Sequence, residues 1–300
     1  MNSLFDQVPP FSTSEALAKL RGSHALLAPG LLWSMIFVCI PLAVVAVVSF
    51  ATRGTYGGVV WQFSFENYRD LWHVLYGRIL LQSLWIAFLT TGICLVLGFP
   101  LAIYVSRLSP RRQAVWLLLI MIPFWTNFLV RTYAWMFILR TEGVLNTLLL
   151  KLGVISTPLD LLYTDGAVLL GLVYGYLPFM VLPLYVALGR MDPTLIEAAQ
   201  DLYANRRSVF WRVILPLTKP GLVAGCLLVF MPSLGAFITP DLLGGARNMM
   251  VGNLIQHEYL IARDWPLGSA ISFLLMLVVL AGIAVFALVE STKSRRGMAS

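Results

Sequence analysis

The sequence predicts an all-α membrane protein of six transmembrane helices with both termini in the cytoplasm, and three observations predict it. Its 300 residues are 59% apolar and only 12% charged, with a mean hydropathy of +0.83. A water-soluble fold has no use for so much apolar surface. Six uncharged runs offer themselves to a hydrocarbon core of ~30 Å, which takes about 20 helical residues to cross. The cations gather in the segments between alternate runs, as orientation in a bilayer requires.

Residues 1–24 come first, with Asp6, Glu15 and a Pro9-Pro10 pair ahead of any apolar run. They lack the short basic head of a signal peptide and read as a cytoplasmic tail. The membrane domain, 25–290, follows with runs at 26–50, 79–105, 114–130, 166–189, 220–240 and 266–289. The third is long enough only if it continues past Arg131 through Thr132, Tyr133, Ala134 and Trp135 to about Leu139. Pro29, Pro41, Pro100, Pro178, Pro183 and Pro232 predict kinked helices, because neighbouring helices and water can serve the freed carbonyls within a membrane. Residues 291–300 form a second cytoplasmic tail.

Of the 21 Lys and Arg residues, thirteen fall on the side of the two termini. They are Lys19, Arg21, Arg107, Arg111, Arg112, Arg190, Arg206, Arg207, Arg212, Lys219, Lys293, Arg295 and Arg296. The other eight, Arg247 among them, are balanced by eight carboxylates. The segment 190–219 is therefore cytoplasmic. The net charge of +7 reflects this sidedness; its short clusters between long apolar runs do not suit nucleic acid.

The chain has little with which to do covalent chemistry. Cys39, Cys94 and Cys226 lie far apart in apolar runs and read as packing residues. The three histidines are scattered. His257-Glu258 begins like a zinc-protease motif, but Ile261 stands where the second His belongs. No Lys follows Gly in a GxxxxGK[ST] phosphate loop, so any ATP is bound elsewhere.

The most informative stretch begins at Asp192-Pro193. Asp192 can accept hydrogen bonds from free backbone N–H groups and Pro193 suits the first turn, so a short helix starts here. Leu195, Ala198, Ala199 and Leu202 share a face whose small side chains allow close approach, while Glu197 and Asp201 sit four apart with like charge. This pattern fits an amphipathic connector as well as a docking surface for a basic partner.

Glu197-Ala198-Ala199, three residues, then Tyr203, nine residues, and Val213-Ile214-Leu215-Pro216 resemble the EAA loop of ABC importer permeases. Tyr203 replaces the usual Gly and Val213 the usual Ile. Gly would allow a left-handed turn that Tyr resists, and Asn205, which tolerates that conformation better, is placed to take the turn over. Four further segments resemble the spermidine/putrescine permeases of the PotB type. They are Ile122 to Asn127, Gly171 to Val181, Pro216 to Gly221, and Asp264-Trp265-Pro266.

The resemblance implies the type I (MetI-like) permease fold in the bacterial cytoplasmic membrane, with two homologous but different permeases enclosing one path. It implies a coupling helix, with Glu197, Ala198, Ala199, Asp201, Leu202, Tyr203, Leu215 and Pro216, docked on a separate ABC ATPase dimer that uses ATP and Mg. It also implies a periplasmic or extracellular solute-binding protein, and no cofactor on this chain. Polyamine cargo, or another small cationic or amino-acid-like solute, would want spaced carboxylates and aromatic faces. Asp165, Asp241, Glu258, Asp264 and Trp265 are candidates near one mouth, and Trp125, Tyr174 and Tyr176 within the membrane. Each has a structural reading beside this one, since Trp and Tyr favour interfaces and loop carboxylates are ordinarily solvated. Arg131, the ionisable residue well inside a run, is expected to anchor the outer interface or pair between helices. A secondary transporter would want intramembrane carboxylates or an inverted repeat, and neither is evident.

Overall fold

A computed structural model describes residues 13–245 and 248–297. Residues 1–12 of the expected tail, Arg247 and the last three residues lie outside the described residues, as do the side chains of Lys19, Arg21, Lys293, Arg295 and Arg296.

The first helix, α1, spans Thr13–Val48. It runs without a break across residue 24, where the expected tail meets the membrane domain. Glu15, Ala16, Leu17, Ala18, Lys19 and Leu20 are strong helix formers, and nothing between them and the apolar run breaks the helix. A small hairpin of β1 (Thr52–Arg53) and β2 (Val59–Val60), paired antiparallel, follows. Then come α2 (Glu66–Asp70), α3 (Val74–Ser106), α4 (Pro110–Trp125), α5 (Phe128–Leu139), α6 (Val144–Lys151) and α7 (Asp165–Gly189). The second half comprises α8 (Thr194–Asp201), α9 (Arg206–Val209), a π turn (Phe210–Ile214) and α10 (Leu215–Leu234). It ends with a second π turn (Pro240–Gly244), α11 (Val251–Leu260) and α12 (Trp265–Gly297).

Four helical stretches are long and apolar enough to cross a bilayer: Val74–Ser106, Asp165–Gly189, Arg206–Leu234 and Trp265–Ala284. The first expected span contributes a shorter apolar stretch, Leu32–Val48.

The third expected span is not one helix. Pro110–Trp125 and Phe128–Lys151 qualify only as a pair, bent by 88°. Thr126 and Asn127 are extended, and Asn127 Oδ1 caps α5 by accepting from the N–H groups of Leu129 (2.9 Å) and Val130 (3.4 Å). The break frees the carbonyl of Pro123. Thr126 Oγ1 and Arg131 Nη1 each donate to it at 2.7 Å, so the polar group an apolar surrounding would penalise is served.

The fifth expected span also differs. Its helix starts at Arg206, fourteen residues before the uncharged run, and ends at Leu234. Cations at 206, 207 and 212 read as loop by charge, yet they are compatible with helix once Asn205 Oδ1 accepts from Ser208 N–H at 2.8 Å. The π turn at 210–214 leads into Pro216, which has no N–H to return to the helix ladder. At the far end, Gly235 terminates α10.

The core lies where α3, α7 and α10 pack, around the fully buried Met180, Val181, Leu184 and Val229. The α7–α10 seam is closed by small residues. A Cβ on Gly221 would lie 2.5 Å from both the Ala187 methyl and the Pro183 carbonyl oxygen, and one on Gly225 would lie 2.8 Å from the Met180 sulfur. This small-xxx-small spacing lets two backbones meet where lipid offers no hydrophobic drive for association. At the other end of α7, α11 packs on α12 and α3, and Ser83 Oγ accepts from Val251 N–H at 2.8 Å. The segment 241–265 thus carries most of the second π turn and all of α11.

Candidate functional site

The connection between α7 and α10 builds its own projecting helix. Asp192 Oδ1 accepts from Thr194 N–H at 3.0 Å, and this hydrogen bond holds the exposed carboxyl below its ordinary value. Along α8 the expected common face divides. Ile196 and Ala199 turn inward and pack against the chain's own core beside Met191 and Ala204. Leu195, Glu197, Ala198, Asp201 and Leu202 remain exposed. Among the described residues, neither Glu197 nor Asp201 is in an ion pair. Leu215 is half-buried against the core at the start of α10, with Pro216 exposed beside it.

The end of α8 corrects the expectation about the turn. Tyr203 itself is left-handed, at φ +59°, while Asn205 is extended at φ −71°, ψ 161°. Tyr203 N–H donates to Gln200 O (2.8 Å) and Ala204 N–H to Ala199 O (3.1 Å), the paired closure of a Schellman motif whose left-handed position falls on Tyr203. Asn205 is committed to capping α9 and is not free to take that place. The Tyr203 side chain is 98% exposed and Leu202 is 82% exposed, so the turn holds an apolar pair out into its surroundings.

The candidate path residues are distributed over both ends and the middle of the bundle. Within it, Tyr174 meets Trp135 edge to face at 5.5 Å, and its ring lies 5.7 Å from the Arg131 guanidinium, which also covers Phe128 at 5.2 Å. Tyr176 Oη donates to Pro232 O at 3.3 Å, tying α7 to α10. Trp125 is 70% exposed at the end of α4. Arg131 has no carboxylate partner among the described residues. It serves the Pro123 carbonyl and the two aromatic faces, which makes it an anchor of the bend.

At the α11 end, Asp165 and Asp241 are exposed in the first turns of α7 and of the second π turn. Asp264 is structurally engaged. Its Oδ1 accepts from Leu267 N–H at 3.1 Å, its Oδ2 is 3.8 Å from Arg53 Nη1, and Arg53 also donates to Ala262 O at 2.7 Å. Trp265, next in sequence, is half exposed. Glu258 is buried on α11, with His257 Nδ1 at 3.5 Å. It shares a cavity with Tyr76, Arg78 and Gln82 of α3. Those three α3 residues were not candidates by sequence, because nothing local to 76–82 signals that the fold sets α11 beside them.

The architecture is an apolar helical bundle with one sharply bent helix pair and a short acidic helix held off one end. The chain belongs to the family of binding-protein-dependent transport system inner membrane components, whose profile matches residues 95–295. It is 45% identical over 261 residues to the spermidine/putrescine transport system permease protein PotB of Haemophilus influenzae, covering 87% of this chain and 91% of that one. It is 45% identical over 247 residues to PotB of Escherichia coli, covering 82% and 90%. In fold it is similar to a bacterial ABC transporter involved in alginate import, at a TM-score of 0.74 and 17% identity over 93% of this chain and 98% of that one. It is also similar to the inward-facing MetNI methionine ABC transporter, at a TM-score of 0.54 and 18% identity over 74% and 97%. The chain is thus a multi-pass inner-membrane protein with the type I importer permease fold.

Proposed function

We propose that this chain is one of two permease subunits of an ATP-driven polyamine importer. The observation that carries the reading is the 45% identity to spermidine/putrescine permeases over most of the chain. In this reading the chain crosses the lipid bilayer six times with both termini cytoplasmic, pairs with a homologous but different permease, and receives cargo from a solute-binding protein outside. It is not itself an enzyme. A separate ATPase dimer holds ATP and Mg, and α8 with its exposed Glu197, Ala198, Asp201, Leu202 and Tyr203 carries the coupling.

Closure of the ATPase pair moves the coupling helices together and favours the outward-facing state; hydrolysis restores the inward-facing one. ATP drives this only through its different affinities for the two states, as any population shift requires. The carboxylates and aromatic rings singled out above suit a flexible chain of ammonium groups and methylenes.

The test is uptake of labelled spermidine and putrescine by cells lacking their own polyamine import, expressing this chain with its companion subunits. ATP-dependent uptake, blocked by unlabelled polyamines alone, is expected. ATP-dependent transport of another small cation or amino-acid-like solute, without polyamine uptake, would retain the importer and discard the cargo. Ala198→Asp places charge and bulk on the exposed face of α8. It is expected to abolish co-purification of the ATPase while membrane insertion persists, and undiminished co-purification would sink the coupling assignment.

A further inference from the structure

Of the carboxylates at the α11 end, Glu258 differs from the rest. Asp165 and Asp241 are solvated, and Asp264 caps α12 and faces Arg53. Glu258 is only 9% exposed, and its carboxylate accepts no hydrogen bond from the described residues. Its neighbour His257 approaches at 3.5 Å, with an imidazole that is itself 42% exposed. The carboxylate thus lines the cavity with one near partner and unfilled acceptor positions, which a cation seated beside it would occupy.

The space for such a cation is present. Glu258 lines a cavity of about 440 Å³ between the first turns of α3 and the body of α11, within the ~300–1,000 Å³ of small-molecule sites. Tyr76, an aromatic residue of the kind an alkylammonium prefers as a partner, lines it as well. Gln82 also lines it, and since Gln82 Nε2 is directed to Asn248 Oδ1 at 3.5 Å, its amide oxygen is left as an acceptor. Ile79 and Leu254 supply apolar wall for methylene groups. One carboxylate, one amide oxygen and a ring are too few hard oxygens for Ca²⁺ or Mg²⁺. They match an ammonium on an alkyl chain.

We propose that Glu258, with Tyr76 and Gln82, forms a subsite of the permease for one terminal ammonium group of its cargo. The proposal rests on the polyamine reading. Arg78, exposed at the rim of the same cavity, opposes it by like charge and so limits how firmly cargo is held. The two side chains act with opposite sign.

The test is equilibrium binding of labelled spermidine to the membrane complex of both permeases and the ATPase in nanodiscs, without the binding protein, alongside uptake in cells. Glu258→Gln is expected to weaken binding about tenfold, the scale of one lost hydrogen bond to a charged group. Tyr76→Leu should weaken it in the same direction, Glu258→Asp should partly restore it, and Arg78→Ala should tighten it. A purely structural role for Glu258 would not produce the opposite shift at Arg78. Tyr76→Leu and Arg78→Ala keep the test decisive if Glu258→Gln fails to assemble. Spermidine uptake in cells, with binding to the complex unchanged in all these variants or absent from the wild type, would overturn the subsite and leave the cargo reading standing. Absence of spermidine uptake itself would overturn both.

Discussion

Tyr203 holds a backbone conformation that glycine adopts freely and that costs an L-residue about 1–2 kcal/mol. Its side chain, almost wholly exposed, recovers none of this within the chain. The left-handed position is imposed by the hydrogen bonds that close α8 on either side of it, so the turn persists without its usual residue. Tyr203→Gly is therefore expected to keep the turn, whereas Tyr203→Val, whose branched side chain tolerates positive φ least, should destabilise it by about 1–2 kcal/mol. Amide exchange at Ala204, whose N–H closes the motif, reads the difference. The unusual Tyr was legible in the sequence, but the position of the turn was not. Which of two neighbouring residues goes left-handed depends on where α8 ends and α9 is capped, and Asn205 satisfies either role by composition alone. Arg131 shows the same limit. Its charge in an apolar run signalled an anchor, but the Pro123 carbonyl it serves exists only because the helix breaks.

At the scale of the element, hydropathy located the apolar helices because burial in lipid acts on every residue of a run. It misplaced their ends and breaks because those are decided by single caps. Asn127 was the local signal for the bend and Asn205 for the early start of the fifth expected span at α9, each a side chain that accepts from N–H groups two or three residues on. The π turn at 210–214 had no counterpart in the composition. It inserts the equivalent of one residue between the Arg206 turn and α10, and so fixes the angle at which the α8–α9 connection meets the bundle. Deleting one residue within Phe210–Ile214 should remove the π turn, restore regular α-helix and change the angle at which the preceding segment leaves the bundle. The expected outcome is a chain that still inserts and resists proteolysis, yet no longer supports cargo-stimulated ATP hydrolysis in the assembled transporter. Unchanged stimulation would show that the π turn is not needed for coupling.

For the molecule as a whole, the α7–α10 seam is the feature on which the bundle depends. Gly221 faces backbone, the Pro183 carbonyl, and not the flexible end of a side chain, so an added methyl group cannot be accommodated by a rotamer change. Gly221→Val is expected to cost about 1–3 kcal/mol by overpacking, read as a lower unfolding temperature of the purified complex in detergent. Gly58, where an added Cβ would meet nothing within 4 Å but φ is left-handed at +86°, serves as a contrast whose cost is conformational. The order of the long helices and the short helix between α7 and α10 were readable from sequence, because periodicity and capping residues lie along the chain. The meeting of α11 with α3 was not, since it joins residues more than 160 positions apart through Ser83 and Val251. The bend between α4 and α5 bears on how motion passes through this architecture. A straight span acts as a push-rod, delivering at one face of the membrane whatever displacement is applied at the other. At 88°, almost none of a thrust along α4 projects onto the stretch that follows. It arrives as a sideways swing about the joint that Asn127, Thr126 and Arg131 pin, which makes the broken span a crank rather than a piston.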